Sequence, residues 1–204
     1  MAHKRYSPEN AALLLIDHQI GTAGWMHSGS VKEMKRNTLA LAKAAAALGM
    51  PVILTSSLEN EAQGPLFPEL ETILPEAYAN RIRRLGTVDS MADPNFHNAV
   101  KATGRKNLIM AGLLTEVCVL YPALSAVEEG YDVQVIADAS GSGTKAGDDF
   151  ALARVRQAGG YVAGTIQILA ELVEDWTTGA GPIVQAVSAD LYAAAAAADT
   201  ENQG

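Results

Sequence analysis

Cys118 is the single cysteine among 204 residues. It stands in "NLIMAGLLTEVCVLYPALSAVEEG" (residues 107–130), where an apolar run gives way to a helical pattern. A thiol acts as a nucleophile in its thiolate form, which helix N-terminal amides, a nearby cation or an adjacent base can supply. The run "TEVC" offers the amides. With Thr115 as helix cap, Glu116, Val117 and Cys118 fall in the first turn. The unpaired N–H groups there favour an anion and can hold the oxyanion formed when sulfur attacks a carbonyl. Asp17, closing the apolar run "LLLIDHQ", offers a carboxylate that takes the thiol proton and returns it to a leaving group. "ANRIRRLGT" (79–87) offers the cation. One inward arginine of Arg81, Arg83 and Arg84 would hold Asp17 and the thiolate in their charged forms, with at least two left in solvent. The competing readings are a small buried hydrophobe for Cys118 and a loop carboxylate capping a backbone N–H for Asp17.

These side chains must be brought together by the elements that carry them. The runs "AALLLID" (11–17), "PVILTSS" (51–57), "NLIMAGLL" (107–114) and "YDVQVIADAS" (131–140) are apolar with little alternation. That pattern predicts strands covered on both faces. Between them lie helical patterns at 30–49, 93–104 and 115–130, each opening near Ser, Thr or Asp and closing at Gly. In the second, Asp93 caps and Pro94 takes the first helical position. A helix over 145–160, a short strand at 161–163 and a helix through about Trp176 complete a βαβ series. The expectation is an α/β, doubly wound parallel sheet of Rossmann-like, three-layer form. If the strand before Cys118 pairs with the first strand, Asp17 and Cys118 meet at the topological switch point, where such sheets bind ligands. "TTGAGP" then breaks the chain, and "IVQAVSADLYAAAAAADT" predicts an Ala-rich helix that packs on the body or on a neighbouring subunit, the last five or so residues fraying.

Composition narrows the class. A net charge of -8 argues against general attraction to nucleic acid or an anionic membrane. No apolar run approaches the roughly 18 residues of a membrane span. The N-terminus lacks the long apolar stretch of a signal peptide, so a cytoplasmic protein is expected. One cysteine permits neither an internal disulfide nor a cysteine-built zinc site. His3, His18, His27 and His97 show no ligand spacing, with His18 read as turned inward and His97 as surface. "ASGSGTK" (139–145) fails the phosphate-loop spacing, and no dinucleotide fingerprint follows the first strand.

Taken together, "LLLIDHQ", "PVILTSSLENEAQGPLFPEL", "AVKATGRKNLIMAGLLTEVCVLYPALSAVEEGYDVQVIADASG" and "RQAGG" resemble the isochorismatase-like cysteine hydrolases, in their YcaC-type branch. The likeness spans residues 8–176. It implies a six-stranded parallel sheet and a trio of Asp, Lys and Cys, whose positions fall on Asp17, Arg84 (Arg83 as the alternative) and Cys118. Arginine in the lysine position stays charged and cannot relay protons, so Asp17 would carry the transfer alone. The likeness further implies a non-proline cis peptide at Leu113–Leu114 and an oxyanion site made by the N–H groups of Leu114 and Cys118. The implied reaction is cleavage of a small-molecule amide or related C–N bond through a thioester, with no cofactor. The alternative is a catalytically weak or inactive ligand-binding or assembly protein on the same scaffold. Gln19, Trp25, His27 and Glu59 are the candidate pocket residues. Glu116, Glu128 and Glu129 read as helix-face charges. The nicotinamidase branch binds a metal through Asp-x-His after the second strand, but here that region reads "TSSLENE", so no metal is expected. Residues 1–180 would form the hydrolase domain, 181–204 the C-terminal arm, and the family implies a homo-oligomer.

Overall fold

The computed structural model describes residues 5–202, so His3 and residues 203–204 lie outside the described residues. The strands are β1 (Ala11–Ile16), β2 (Val52–Ser57), β3 (Ile82–Arg84), β4 (Asn107–Gly112), β5 (Asp132–Ile136) and β6 (Tyr161–Ala163). They form a parallel sheet in the order β3-β2-β1-β4-β5-β6. The helices are α1 (Ile20–Ala23), α2 (Val31–Ala47), α3 (Pro68–Ile73), α4 (Pro75–Ala79) and α5 (Pro94–Ala102), then α6 (Leu120–Glu128), α7 (Lys145–Gln157), α8 (Thr165–Val173) and α9 (Gly181–Asn202). The order of strands reverses between β1 and β4, as expected for a doubly wound sheet.

β1 explains the three layers. All six of its residues are buried, and they split by parity between two cores. Ala11, Leu13 and Leu15 pack with Leu41 of α2, Leu169 of α8 and Val184 of α9. Ala12, Leu14 and Ile16 pack with Phe96 of α5, Ala123 of α6 and Val155 of α7. A strand with helices on both faces has no polar side to show, which is why its sequence lacks alternation. Helix ends follow the expected chemistry where a cap exists. Asp93 accepts from the N–H groups of Asn95 (2.9 Å) and Phe96 (3.2 Å), ahead of Pro94.

Several boundaries differ from the sequence reading. β3 was not expected from its residues, because two of its three side chains are arginines. β4 stops at Gly112 and β5 at Ile136, where a 3-10 turn over Ala137–Ala139 takes over. α3 and α4 arise from proline-started turns, Pro68 and Pro75 taking the first helical positions. α9 lies on α2, burying Val184, Ser188 and Leu191, and its backbone stays helical to Asn202.

Two features pin the C-terminal end of β1. Gly112 pairs with Ile16, and a Cβ on Gly112 would stand 2.3 Å from the Ile16 carbonyl oxygen. Only glycine allows that approach of the backbones. His18 is fully buried, and its Nε2 lies 2.9 Å from the Ala139 carbonyl and 3.0 Å from Thr38 Oγ1. Burial pushes the imidazole pKa down from 6.5 to about 4, so this histidine is held neutral.

Gly112→Ala is expected to lower unfolding free energy by about 1–3 kcal/mol in urea titrations, by prising β1 from β4. His18 supplies a pH dependence of known sign. Its folded pKa lies below its unfolded value of 6.5, so its contribution is complete above pH 6.5 and is lost as pH falls to about 4. The loss amounts to up to about 3 kcal/mol. His18→Gln should remove that slope from a series of urea titrations across the range.

Candidate active site

Asp17 immediately follows β1 and leaves the strand by adopting φ 55°, a left-handed conformation uncommon outside glycine. Its N–H still reaches the Thr55 carbonyl at 2.9 Å, so the ladder holds it while the chain turns away. The carboxylate is almost wholly buried and meets Arg84, whose Nη2 lies 2.5 Å from each carboxylate oxygen. Arg84 is positioned by β3: Ser57 pairs with Arg84 in the parallel register, and the side chain runs inward beneath β2. Its Nε donates to Thr55 Oγ1 at 3.0 Å and its Nη1 to the Thr87 carbonyl. Every nitrogen of the guanidinium is therefore engaged inside the protein.

Arg84, not Arg83, is the inward arginine. Arg83 is exposed and pairs with Glu59 at 3.1 Å. Arg81 departs from the expectation of a solvated charge. Its Nε and Nη2 grip Glu59 at 2.6 and 3.1 Å, and its guanidinium lies over the Tyr78 ring. Glu59, expected at the pocket, is thus the centre of a separate cluster that also accepts from Ser56 Oγ at 2.8 Å. Despite partial burial, Arg81, Ser56 and Arg83 hold its carboxyl below the usual range.

Cys118 meets the same carboxylate through a side-chain hydrogen bond to Asp17. Its backbone differs from the expected capped helix. Leu113–Leu114 is a cis peptide, and Thr115–Val119 forms a π-helical turn ahead of α6, with Leu114 as the flanking residue. The N–H groups of Val117, Cys118 and Val119 all donate to the single carbonyl of Leu114, at 3.1, 2.9 and 3.3 Å. Thr115 and Glu116 N–H go to the Gly141 carbonyl and Ser142 Oγ. Thr115 caps nothing; its hydroxyl is buried without a partner. The first-turn amides expected to stabilise an anion are therefore spent inside the turn, including that of Cys118. The Leu114 backbone, in contrast, hydrogen-bonds the sulfur.

The protonation state follows. Burial, then the charge and hydrogen bond of Asp17, push the Cys118 thiol up to about 12, against the opposing pull of Arg84 and the Leu114 backbone. Burial also raises the Asp17 carboxyl, with Arg84 and the thiol hydrogen bond opposing it. The resting arrangement is a thiol donating to a carboxylate locked on a permanent cation. This corrects the expectation of a resting thiolate: desolvation and a neighbouring negative charge outweigh the amides, which point elsewhere.

The three groups lie at a cavity of about 260 Å³, lined by Asp17 and Cys118. Its apolar wall comprises Trp25, Leu58, Val88, Leu113, Leu114 and Val117. Gln19 and Trp25 line it as expected, Trp25 being 44% exposed. Gln19 arrives by a different route from strand alternation, since β1 has already ended. Its amide bridges the Ser57 backbone and the Gly64 carbonyl, bracing the loop after β2. His27 is exposed, does not line the cavity, and contributes its backbone N–H to Ser142. Sequence reasoning missed Thr22, Ser57 and Thr87, which also line the cavity, and Thr55, which steers Arg84. Thr55 had a signal, the first of three hydroxyls that follow the apolar start of β2.

The remaining weak signals are absorbed by structure. Glu116 is no helix-face charge: it accepts from Gly143 N–H at 3.0 Å and lies so close to Gly147 that a Cβ there would be 2.1 Å away. The "ASGSGTK" loop spends its amides on Ser28, Glu116 and the Thr144 cap. His97 pairs with Glu129 at 2.8 Å. Among the described residues no group of three or more His, Cys, Asp or Glu is placed to hold a metal ion. The first acid after β2, Glu59, already serves Arg81 and Arg83, and neither histidine nor aspartate stands beside it, so the residues there do not fit a metal. No helix among the described residues is long and apolar enough to cross a membrane.

A family model described as the isochorismatase domain matches residues 11–167. A curated relative, the probable hydrolase YcaC of Escherichia coli, is 42% identical over 172 residues, 84% of this chain and 82% of its own. Among solved structures, YcaC from Pseudomonas aeruginosa with hexane-2,5-diol and covalent acrylamide superposes with a TM-score of 0.90 at 38% identity, all of both chains being covered. The E. coli YcaC structure, described as an octameric hydrolase of unknown specificity, gives 0.88 at 38% identity over 98% of each chain.

Iodoacetamide should label Cys118 at pH 7 at least about tenfold more slowly than free cysteine, the rate still rising at pH 10. Asp17→Asn removes the neighbouring negative charge and should speed labelling at pH 7 by about tenfold or more. Mass spectrometry of timed samples reads both; an early plateau near pH 7 in the unaltered protein would mean that the thiolate is the resting form.

Proposed function

The chain belongs to the isochorismatase family of hydrolases, and from that premise we propose that it cleaves a small amide or related C–N bond through a thioester on Cys118. The observation that carries the reading is the buried Asp17, gripped by Arg84 and hydrogen-bonded to the Cys118 thiol at a partly open cavity with apolar walls. Sγ loses its proton and forms its bond to carbon in one step. As Sγ attacks the carbonyl carbon, its proton passes to Asp17, so no free thiolate is needed beforehand. Arg84 keeps the carboxylate oriented and cannot itself donate, which confines proton traffic to Asp17.

Leu114 N–H lies on the sulfur side and is the donor available to the developing oxyanion. Cys118 N–H would join it by releasing or sharing the Leu114 carbonyl. Asp17 then gives its proton to the departing amine, leaving the thioester. In the second half, Asp17 takes a proton from water as the hydroxide adds to the thioester carbon. Collapse expels the sulfur, which recovers the proton, and the acid departs. Amide and water have become acid and amine.

The P. aeruginosa YcaC carries a covalent acrylamide, a compound that thiols attack at its alkene, and this supports a reachable nucleophile without bearing on the bond cleaved. The octameric state named for the E. coli relative supports a homo-oligomer here. Leu85, 93% exposed beside Arg84, suits such a contact. On this reading the whole chain is one hydrolase unit, with α9 as an arm on α2. The acidic net charge suits a cytoplasmic enzyme on small molecules, with neither nucleic acid nor an anionic membrane as partner.

Incubation with a panel of small primary amides should release ammonia and give a transient acyl adduct on Cys118 in quenched intact-mass spectra. Cys118→Ala should abolish both, and Asp17→Asn should lower kcat by about 100-fold or more while leaving the thiol alkylatable. Saturable binding of amides with neither ammonia nor adduct would favour the non-catalytic ligand-binding alternative.

A further inference from the structure

The cavity carries a second message in what its polar groups are not doing. Asp17 is the one charged side chain among the described residues that line it. No cation is available to a substrate there. Arg84 has each nitrogen committed to Asp17, Thr55 or Thr87, and Arg81 and Arg83 are held by Glu59. A substrate carboxylate entering this space would lose its water, meet a carboxylate and find no counter-charge, an arrangement strongly disfavoured in an apolar enclosure.

One polar side chain of the wall is, by contrast, both buried and unpaired. Thr22 is 4% exposed, lines the cavity, and its Oγ1 is buried without a hydrogen-bond partner. A buried hydroxyl left unpaired is unfavourable, and a bound molecule that satisfies it gains the difference. Thr22 is also rigidly placed. The N–H groups of Ile20 and Gly21 donate to Pro65 and Gln63 carbonyls at 2.9 and 2.8 Å, and a Cβ on Gly21 would stand 1.8 Å from the Ala62 carbonyl oxygen. α1 is thus laced to the 62–65 loop by backbone alone, so the hydroxyl cannot swing away with its helix.

From these two observations we infer that the site takes an uncharged acyl compound with a short hydrocarbon body, and that Thr22 Oγ1 binds a hydroxyl, carbonyl or amide group on that body. The inference rests on reading the cavity as the acyl-transfer site. Its size limits the body: about 260 Å³ is close to the volume of about nine water molecules at ~30 Å³ each. Gln19 cannot do the same work, because its amide is saturated by Ser57 and Gly64.

The test compares pentanamide, its 3-, 4- and 5-hydroxy derivatives, and the monoamide of glutaric acid, which carries a terminal carboxylate. Turnover is read as ammonia release by the full-length protein, and binding as the rise in melting temperature of Cys118→Ala. The neutral amides should raise the melting temperature and the carboxylate should not, with kcat/KM for the carboxylate at least about 100-fold lower than for pentanamide. At least one hydroxyamide should be preferred over pentanamide. In Thr22→Val that preference should shrink by about tenfold, in KM rather than kcat. Equal binding or turnover of the carboxylate would overturn the inference, as would a Thr22→Val effect equal for pentanamide and the hydroxyamides. Neutral-selective, Thr22-dependent binding without ammonia or adduct would retire the hydrolase reading while supporting the assignment of Thr22 and of an uncharged ligand; failure of every neutral amide to bind would overturn that assignment.

Discussion

A carboxylate and a guanidinium sealed together beneath β2 set the terms for the rest of this structure. Asp17 and Arg84 are both almost wholly removed from solvent. Burying such a pair is unfavourable unless each charge is fully hydrogen-bonded, and removing one partner typically costs about 3–5 kcal/mol. The fold meets that demand with ordinary parts: a threonine in β2, a carbonyl after β3, and a left-handed turn that swings Asp17 off the end of β1. Once the pair is made, the thiol beside it has little choice. It stays protonated because burial, and then the adjacent negative charge, disfavour its anion, and that same neighbour is a proton acceptor already in contact. On the function proposed above, reactivity is latent in a hydrogen bond and needs no standing thiolate.

The sequence displayed the scaffold well and the site in part. Unbroken apolar runs are unambiguous when a strand is covered on both faces, so β1, β2, β4 and β5 could be read directly, and with them the meeting of Asp17 and Cys118 at the switch point. Arg84 could be named only through resemblance to a family, because β3 is three residues long with two arginines and carries no periodic signal. His27 and Glu59 misled for a common reason. Both lie in loops, where position in sequence says nothing about the direction of a side chain, and Glu59 was drawn off by two arginines. Cys118 misled more instructively: the rule that helix N-termini favour anions presumes free amides. A π-helical turn that folds three of them onto one carbonyl cannot be read from "TEVC".

Groups that looked expendable are the braces. Glu116 props the 142–147 loop, Gln19 ties the end of β2 to residue 64, and His18 fastens the segment after β1 to the turn beyond β5. Of these only Gln19 and the segments it ties line the cavity; Glu116 and His18 secure the backbone behind it.

β3 has one further consequence. It is the outermost strand, with a neighbour on one side alone, and it carries the guanidinium on which the carboxylate depends. Segments of this kind open locally at free energies well below that of global unfolding. Each such excursion would wet the guanidinium, loosen its hold on the carboxylate and let solvent reach the sulfur. The amide exchange rate of three edge residues would then track the intermittent reactivity of an atom three strands away.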